Sequence, residues 1–237
     1  AGLTIYNITV NCLQWWNGTF WYDGCGNNAA ATYPAGSVFC ASGATAIVDV
    51  TNPATGKTWM DRNLGATRAA TSSTDAASYG DLYQWGRGNE GHQCRTSSTT
   101  NTLSSSDQPV NGNFIKVSAS PYDWRSPQNT NLWQGVNGVN NPCPSGYRLP
   151  TLTESDAERQ SWSSNNAAGA FASPLKLPLA GNRNRSNGSL YFAGIYGYYW
   201  VSTIIGQGSR SLYFNSSSAG MGINQRAIGH SVRCLKD

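Results

Sequence analysis

The residues with most scope for covalent or metal chemistry are six cysteines, Cys12, Cys25, Cys40, Cys94, Cys143 and Cys234, and two histidines, His92 and His230. A structural zinc site draws on closely spaced thiolates and imidazoles. Here no two cysteines form a CxxC pair, and their number is even, so disulfides are the expected use and an oxidising compartment follows. Carboxylates are equally uninviting to chemistry. Between Arg159 and Lys236 there is no Asp or Glu, which removes from that stretch the carboxylate pair of a glycosidase and the charged oxygen cage of calcium. Asp49, Asp61, Asp75, Asp81 and Asp123 stand singly elsewhere. No serine-hydrolase elbow, metalloprotease helix or phosphate loop occurs, and His230, in a β-rich stretch, suits a structural hydrogen bond. The expectation is a non-catalytic protein with no metal and no cofactor.

Composition narrows the setting. Charged residues make up 12% of the 237, against about 25% in an ordinary soluble domain. The net charge of +4 comes from scattered Lys and Arg, without the basic stripe that a phosphate backbone selects, so no nucleic-acid partner is expected. No apolar run reaches the roughly 18 residues of a membrane span. With the cysteines, this reads as an extracellular chain, secreted or attached to a cell surface.

The elements that must position any site are mostly strands. Residues 1–25 read as a β-hairpin, with Leu3, Ile5, Ile8, Val10 and Leu13 among polar residues. Asn17-Gly18 turns between Trp15-Trp16 and Phe20-Trp21-Tyr22, a strong hairpin signal. Those aromatics suit cross-strand packing, with sugar stacking as the alternative. Cys12 and Cys25 would flank the turn. Residues 46–64 form a second hairpin about Pro53-Ala54-Thr55-Gly56, and a helix is expected through Ser78–Trp85. Residues 88–141 read as a long irregular excursion needing an anchor such as Cys94. Thr151 and Glu154 form a capping box, predicting a helix with Leu152, Ala157 and Trp162 facing inward. Residues 178–237 alternate apolar pairs with Gly and Ser turns, predicting an antiparallel meander.

Three blocks carry a family resemblance: Gly56-Lys57-Thr58-Trp59-Met60-Asp61-Arg62-Asn63-Leu64-Gly65; Asn141-Pro142-Cys143-Pro144-Ser145-Gly146-Tyr147-Arg148-Leu149-Pro150-Thr151; and Gly197-Tyr198-Tyr199-Trp200-Val201-Ser202-Thr203 with Gly229-His230-Ser231-Val232-Arg233-Cys234. In that order they resemble the Fibrobacter succinogenes major paralogous domain of bacterial surface proteins, over residues 46–237. The resemblance implies an α+β, C-type-lectin-like fold for 46–237, preceded by an N-terminal extension over 1–45. It also implies that Cys143 and Cys234 are a structural pair. The full connectivity expected is Cys12–Cys25, Cys40–Cys94 and Cys143–Cys234, one of several that six cysteines allow.

The last sixty residues are also similar to the variable segment of retroelement-diversified proteins, in which a fixed scaffold carries exchangeable side chains. That resemblance implies ligand-binding positions at Tyr191, Phe192, Tyr196, Tyr198, Ile204, Ile205, Gln207, Tyr213, Met221, Ile223, Gln225 and Ile228, with Trp200, Phe214 and Arg233 as scaffold. Residue patterning agrees in part. Alternation in Ser211–Asn215 buries Leu212 and Phe214 and turns Tyr213 outward. Ile204-Ile205 stands where a polar turn is expected, either as an exposed apolar patch or packed beneath a loop. The function implied is adhesion or ligand binding, with a protein or glycan on another surface as partner. The second reading is a filament subunit, a homo-oligomer formed when residues 1–10 add a strand to a neighbouring copy.

Overall fold

The computed structural model describes residues 3–7, 12–16, 21–23, 31–41, 43–109 and 111–237. The expected Cys12–Cys25 bridge lies outside what is described. At the N-terminal end, β1 (Thr4–Asn7), β2 (Cys12–Trp16) and β3 (Trp21–Asp23) form an antiparallel sheet. Trp16 stands opposite Trp21. One side of β1 is thus taken by its own chain, with Thr4 opposite Trp15.

The remaining elements are β4 (Asp49–Asn52), β5 (Lys57–Met60), β6 (Tyr83–Gln84), β7 (Thr99–Thr100), β8 (Phe114–Ile115), β9 (Tyr147–Arg148), α1 (Leu152–Gln160), α2 (Ala167–Ala172), β10 (Asn182–Arg183), β11 (Leu190–Tyr191), β12 (Gly197–Ile205), β13 (Gly208–Phe214), β14 (Ala219–Gln225), β15 (Gly229–His230) and β16 (Leu235–Lys236). Among the described residues, mostly antiparallel sheets with two α-helices make the fold α+β. The sheets run β11-β10-β15-β6, β12-β13-β14 and β4-β5-β16-β9, with β7 and β8 as a short parallel pair.

The β4–β5 hairpin forms where expected: Gly56 takes φ +66° and donates its N–H to the Asn52 carbonyl at 2.8 Å. Leu235 pairs with both Trp59 and Arg148, so the last strand is clasped between β5 and β9. The Cys143–Cys234 disulfide closes the same junction, and Cys40–Cys94 ties the segment after residue 31 to the start of the long excursion.

The expected helix over Ser78–Trp85 is not formed. A single 3-10 turn, Ala76–Ser78, is followed by β6. Gly80, at φ +65°, breaks the path, and the Leu64 carbonyl lies 2.2 Å from where its Cβ would stand. This close approach lets the Asp81 N–H reach Leu64 O at 2.8 Å, so tertiary backbone pairing replaces helical pairing. The Asp81 carboxylate fills the space of the missing Gly65 side chain, and burial raises it to about 7.

Helix α1 begins at the expected capping box. Thr151 Oγ1 accepts from Glu154 N at 3.3 Å, and the Glu154 carboxylate accepts from Thr151 N at 2.8 Å. Arg148 forks onto the same carboxylate, with both contacts at 2.8 Å. The inward face differs from the expected one. Ala157 is exposed and Leu152 only half-buried, while Ser155, Glu158 and Trp162 are buried. The reason is polar: Glu158 accepts from Asn52 Nδ2 at 2.7 Å and from Trp162 Nε1 at 3.2 Å, so a carboxylate occupies the core side of the helix.

Two apolar clusters form the core. Trp85, Trp124, Trp133 and Trp200 lie in the first, with Met60, Ile115, Tyr147 and Val232. The second sets Trp59, Trp162 and Ala170 against Tyr199, Leu212 and Phe214 of the β12-β13-β14 sheet. The irregular segment 88–141 is interior material as well as covering, because Trp124 and Trp133 are each 1% exposed.

The Cys143–Cys234 bridge spans 91 residues, for which chain entropy in the unfolded state predicts a stabilisation of roughly 4–5 kcal/mol. The double variant Cys143→Ser/Cys234→Ser should lose about that much unfolding free energy in a denaturant titration. A change within the error of the titration would mean that the clasp of β16 is set by packing alone.

Candidate functional site

The loops after β10 and the edge of the β12-β13-β14 sheet carry the outward aromatics. Cross-strand partners share a face of a sheet. Tyr199, Leu212 and Met221 therefore lie on one face, while Tyr198, Tyr213 and Gly220 lie on the other. The first face packs against the helices. Tyr213 lies over β14 because two glycines make room: a Cβ at Gly220 would stand 2.9 Å from its hydroxyl, and one at Gly222 3.3 Å from its ring.

From this second face an aromatic ladder climbs outward. Trp200 is 4.4 Å from His230 between ring centroids, His230 stacks on Tyr198 at 5.0 Å, and Tyr198 stacks on Tyr196 at 5.5 Å. Phe192 follows at 5.3 Å from Tyr196, and Tyr191 at 6.0 Å from Phe192. The ladder begins fully buried and ends with Phe192 47% exposed.

Phe192 has φ +60°, a conformation that is an outlier for a bulky residue and that persists only where its surroundings over-determine it. Here its carbonyl accepts from both Ile195 N and Tyr196 N, each at 2.9 Å, while Gly194 N donates to Leu179 O at 2.7 Å. This small knot of backbone bonds holds an aromatic ring out toward solvent.

The twelve positions that the resemblance implies for ligand binding are each exposed or half-buried, while Trp200, Phe214 and Arg233 are buried. The structure sorts the twelve into groups. Tyr191, Phe192, Tyr196 and Tyr198 form the ladder, and Tyr213 is the cross-strand partner of Tyr198. Gln207, Ile223 and Gln225 line a cleft of about 250 Å³ whose opposite wall is Ser120, Pro121 and Tyr122. Ile204 packs against the first core and Met221 against the second, each half-buried, and Ile228 leans on the first. The pair Ile204-Ile205 is split: β12 runs on through both, and Ile205 is exposed beside the Gly206-Gln207 turn.

Sequence reasoning left out Leu190 and Ile195, which widen the exposed apolar patch around Tyr191 and Phe192; Ile195 is 57% exposed. Their signal was their place beside the aromatic positions, Leu190 next to Tyr191 in β11 and Ile195 next to Tyr196. The wall at 120–122 had no local signal, since it comes from the irregular excursion. His230, expected to make a structural hydrogen bond, has Nδ1 3.1 Å from Gly229 O, and it also serves as the buried rung of the ladder.

The electrostatics of this region are neutral to positive. Arg183 is buried and bonds Gly188 O, Cys94 O and Ser97 O, and burial brings it down to about 10. Among the described residues no group of three or more His, Cys, Asp or Glu converges as metal ligands would. No helix of the described chain is long and apolar enough to cross a membrane.

Fold and site together define an α+β chain with two disulfides that presents an aromatic face from a tightly bonded frame. Comparison with protein-family models, curated proteins and solved structures finds no match.

Burial pulls the His230 imidazole down to about 3, below its ordinary value near 6.5. Its neutral-state contribution to stability is therefore complete above the unfolded value and is lost as pH falls from about 6.5 toward about 3. The stability advantage of the wild type over His230→Leu should shrink by about 1.4 kcal/mol per pH unit across that window. Urea titrations at a series of pH values measure it, and a difference that does not vary with pH would contradict a buried neutral rung.

Proposed function

We propose that this chain is an extracellular ligand-binding or adhesion module of C-type-lectin-like fold, non-catalytic, whose recognition face is the aromatic ladder ending at Tyr191 and Phe192. The observation that carries the reading is the exposed Phe192 held at positive φ at the head of a stacked series of rings. Folding alone would place a strained aromatic inward. Exposed apolar area of this kind marks interaction surfaces, and Tyr supplies contact area at low entropic cost. The two disulfides are compatible with an oxidising, extracellular setting,.

The partner is a glycan or protein surface without strong positive charge, since the stretch from residue 160 to 235 has no carboxylate to meet one. Flat stacked rings offer faces to sugar C–H groups and to apolar side chains alike.

The test is a glycan and protein array probed with the wild type and with Tyr191→Ser/Tyr196→Ser/Tyr213→Ser. The expected outcome is a loss of at least about tenfold in affinity for whatever ligand the wild type selects, about 1.4 kcal/mol, with the thermal midpoint moving by only a few degrees. Undiminished binding by a folded triple variant would place recognition elsewhere on the molecule.

A further inference from the structure

The free edge of β14 is the most conspicuous unsatisfied feature outside the aromatic ladder. In the antiparallel β13–β14 pair, alternate residues turn their backbone groups inward and outward. Three contacts fix which do which. Asn215 N donates to Ser218 O at 2.9 Å across the turn, the Asn224 carbonyl faces Gly208, and the Ala219 carbonyl accepts from Asn165 Nδ2 outside the sheet at 2.9 Å. Gly220, Gly222 and Asn224 therefore bond β13, whereas Met221, Ile223 and the Gln225 N–H point away from it.

No backbone or side-chain partner among the described residues takes the N–H or C=O of Met221 or Ile223. These groups recur about every 7 Å along the strand, the spacing at which an added strand presents its own.

Natural proteins blunt such edges with Lys, Pro, bulges or a covering loop. Over Ala219–Gln225 this strand has no charge and no proline, its pairing with β13 is unbroken, and Ile223 is 58% exposed. Among the described residues α1 packs against the sheet, β14 included, and the two ends of the strand are approached by Asn165 at Ala219 and by the Ser120–Tyr122 residues that share a cleft with Ile223 and Gln225.

We propose that this edge is a second binding site, which takes an extended peptide segment by strand addition and prefers one bearing an acidic side chain. The backbone pattern specifies the extended conformation, and the cleft against Pro121 and Tyr122 receives one end of the segment. Arg210 supplies the charge preference. It lies directly across from Ile223 on the same face, is half-exposed, and makes no ion pair among the described residues. None of the three strands of this sheet carries a carboxylate. An acidic side chain on the added strand, next to Ile223, would reach back over that isoleucine to the guanidinium. The site does not depend on the aromatic ladder.

The probe is a fluorescein-labelled, end-capped octapeptide of alternating threonine and valine with one central glutamate, followed by anisotropy. Its companions are a lysine-centred version and a version N-methylated on alternate backbone nitrogens. The wild type should bind the glutamate peptide, bind the lysine peptide several-fold more weakly, and bind the N-methylated peptide at least about tenfold more weakly. Ile223→Pro removes an outward N–H while leaving the inward bonds of β14 intact, and proline is tolerated at such edge positions. It should weaken the glutamate peptide about tenfold, and Arg210→Gln should erase the preference for glutamate over lysine. Tyr191→Ser/Tyr196→Ser should leave peptide binding unchanged, which separates this site from the ladder.

Equal binding of the N-methylated peptide to the wild type would overturn the proposal whether or not Ile223→Pro folds. So would the absence of binding at peptide concentrations up to about 1 mM. Self-association of the wild type that Ile223→Pro abolishes would reassign the edge to a second copy of the chain and overturn the peptide assignment.

Discussion

The structure depends on one constraint: a buried carbonyl without a hydrogen bond costs on the order of 1–3 kcal/mol, and this chain buries much backbone that belongs to no helix or long strand. Indole donors meet a large part of that demand. Trp85 Nε1 bonds Val201 O at 3.0 Å, Trp124 bonds Trp85 O at 2.7 Å, Trp133 bonds Asn140 O at 2.9 Å and Trp200 bonds Tyr83 O at 2.7 Å. Each ring contributes apolar area to the core and one fixed donor to the backbone around it. Amides and guanidinia do the rest. Gln84 spans Ile115 O and Ala227 O, both at 2.8 Å, and Arg233 joins Met60 O, Leu175 O and the Asn63 amide oxygen.

This division of labour explains what the sequence made legible. Local signals were sufficient wherever the structure is locally determined: the capping box at Thr151 and Glu154, the turn at Gly56, the alternation that buries Leu212 and Phe214 around Tyr213. They failed where a distant partner decides. Ser78–Trp85 has helical patterning, but Leu64 O captures the Asp81 N–H and Gly80 turns the chain. Ala157 looked like a core residue by periodicity, yet the core side of α1 is set by the Glu158 carboxylate bonded to Asn52, more than a hundred residues away in the chain. Tyr213 was legible where the helix face was not, because strict alternation between the buried Leu212 and Phe214 leaves it the other face of the strand. What the sequence did not disclose was the grouping of the twelve positions. The ladder requires His230 as a rung and the strained turn at Phe192, and neither has a sequence signature.

Cationic side chains follow the same logic as the indoles. With no carboxylate between residues 160 and 235, Arg183 and Arg233 are hydrogen-bonded by carbonyl and amide oxygens, Arg183 lying 4.4 Å from the Phe114 centroid and Arg233 also feeling the charges of Asp61 and Glu158. Burial lowers both to about 10, so both remain charged at neutral pH, and the forked donors of each join two separate segments of the chain, 94–97 with 188 for Arg183 and 60–63 with 175 for Arg233,. Arg226 has an acid in ion-pair range, with Asp123 at 3.5 Å and Trp85 beneath it at 4.7 Å. Its loop lies beside the cleft at Gln207 and Gln225, where the excursion meets the meander.

A frame assembled in this way has a consequence for its surface. The groups that satisfy the buried carbonyls are interior side chains: Trp200, Arg233, Gln84 and their neighbours. Tyr191, Phe192 and Ile205 point away from that network, and their backbone positions are fixed by bonds that do not involve their side chains, as with the two N–H groups that converge on Phe192 O. Replacing an exposed side chain on such a frame therefore changes what the face recognises while removing little of what holds it together, and surface substitutions of this kind usually cost within about 0.5 kcal/mol. Tyr213 marks the boundary of that freedom. Its ring covers Gly220 and Gly222, so a smaller residue there would bare the backbone of β14 on the recognition side and couple the aromatic face to the strand edge beside it.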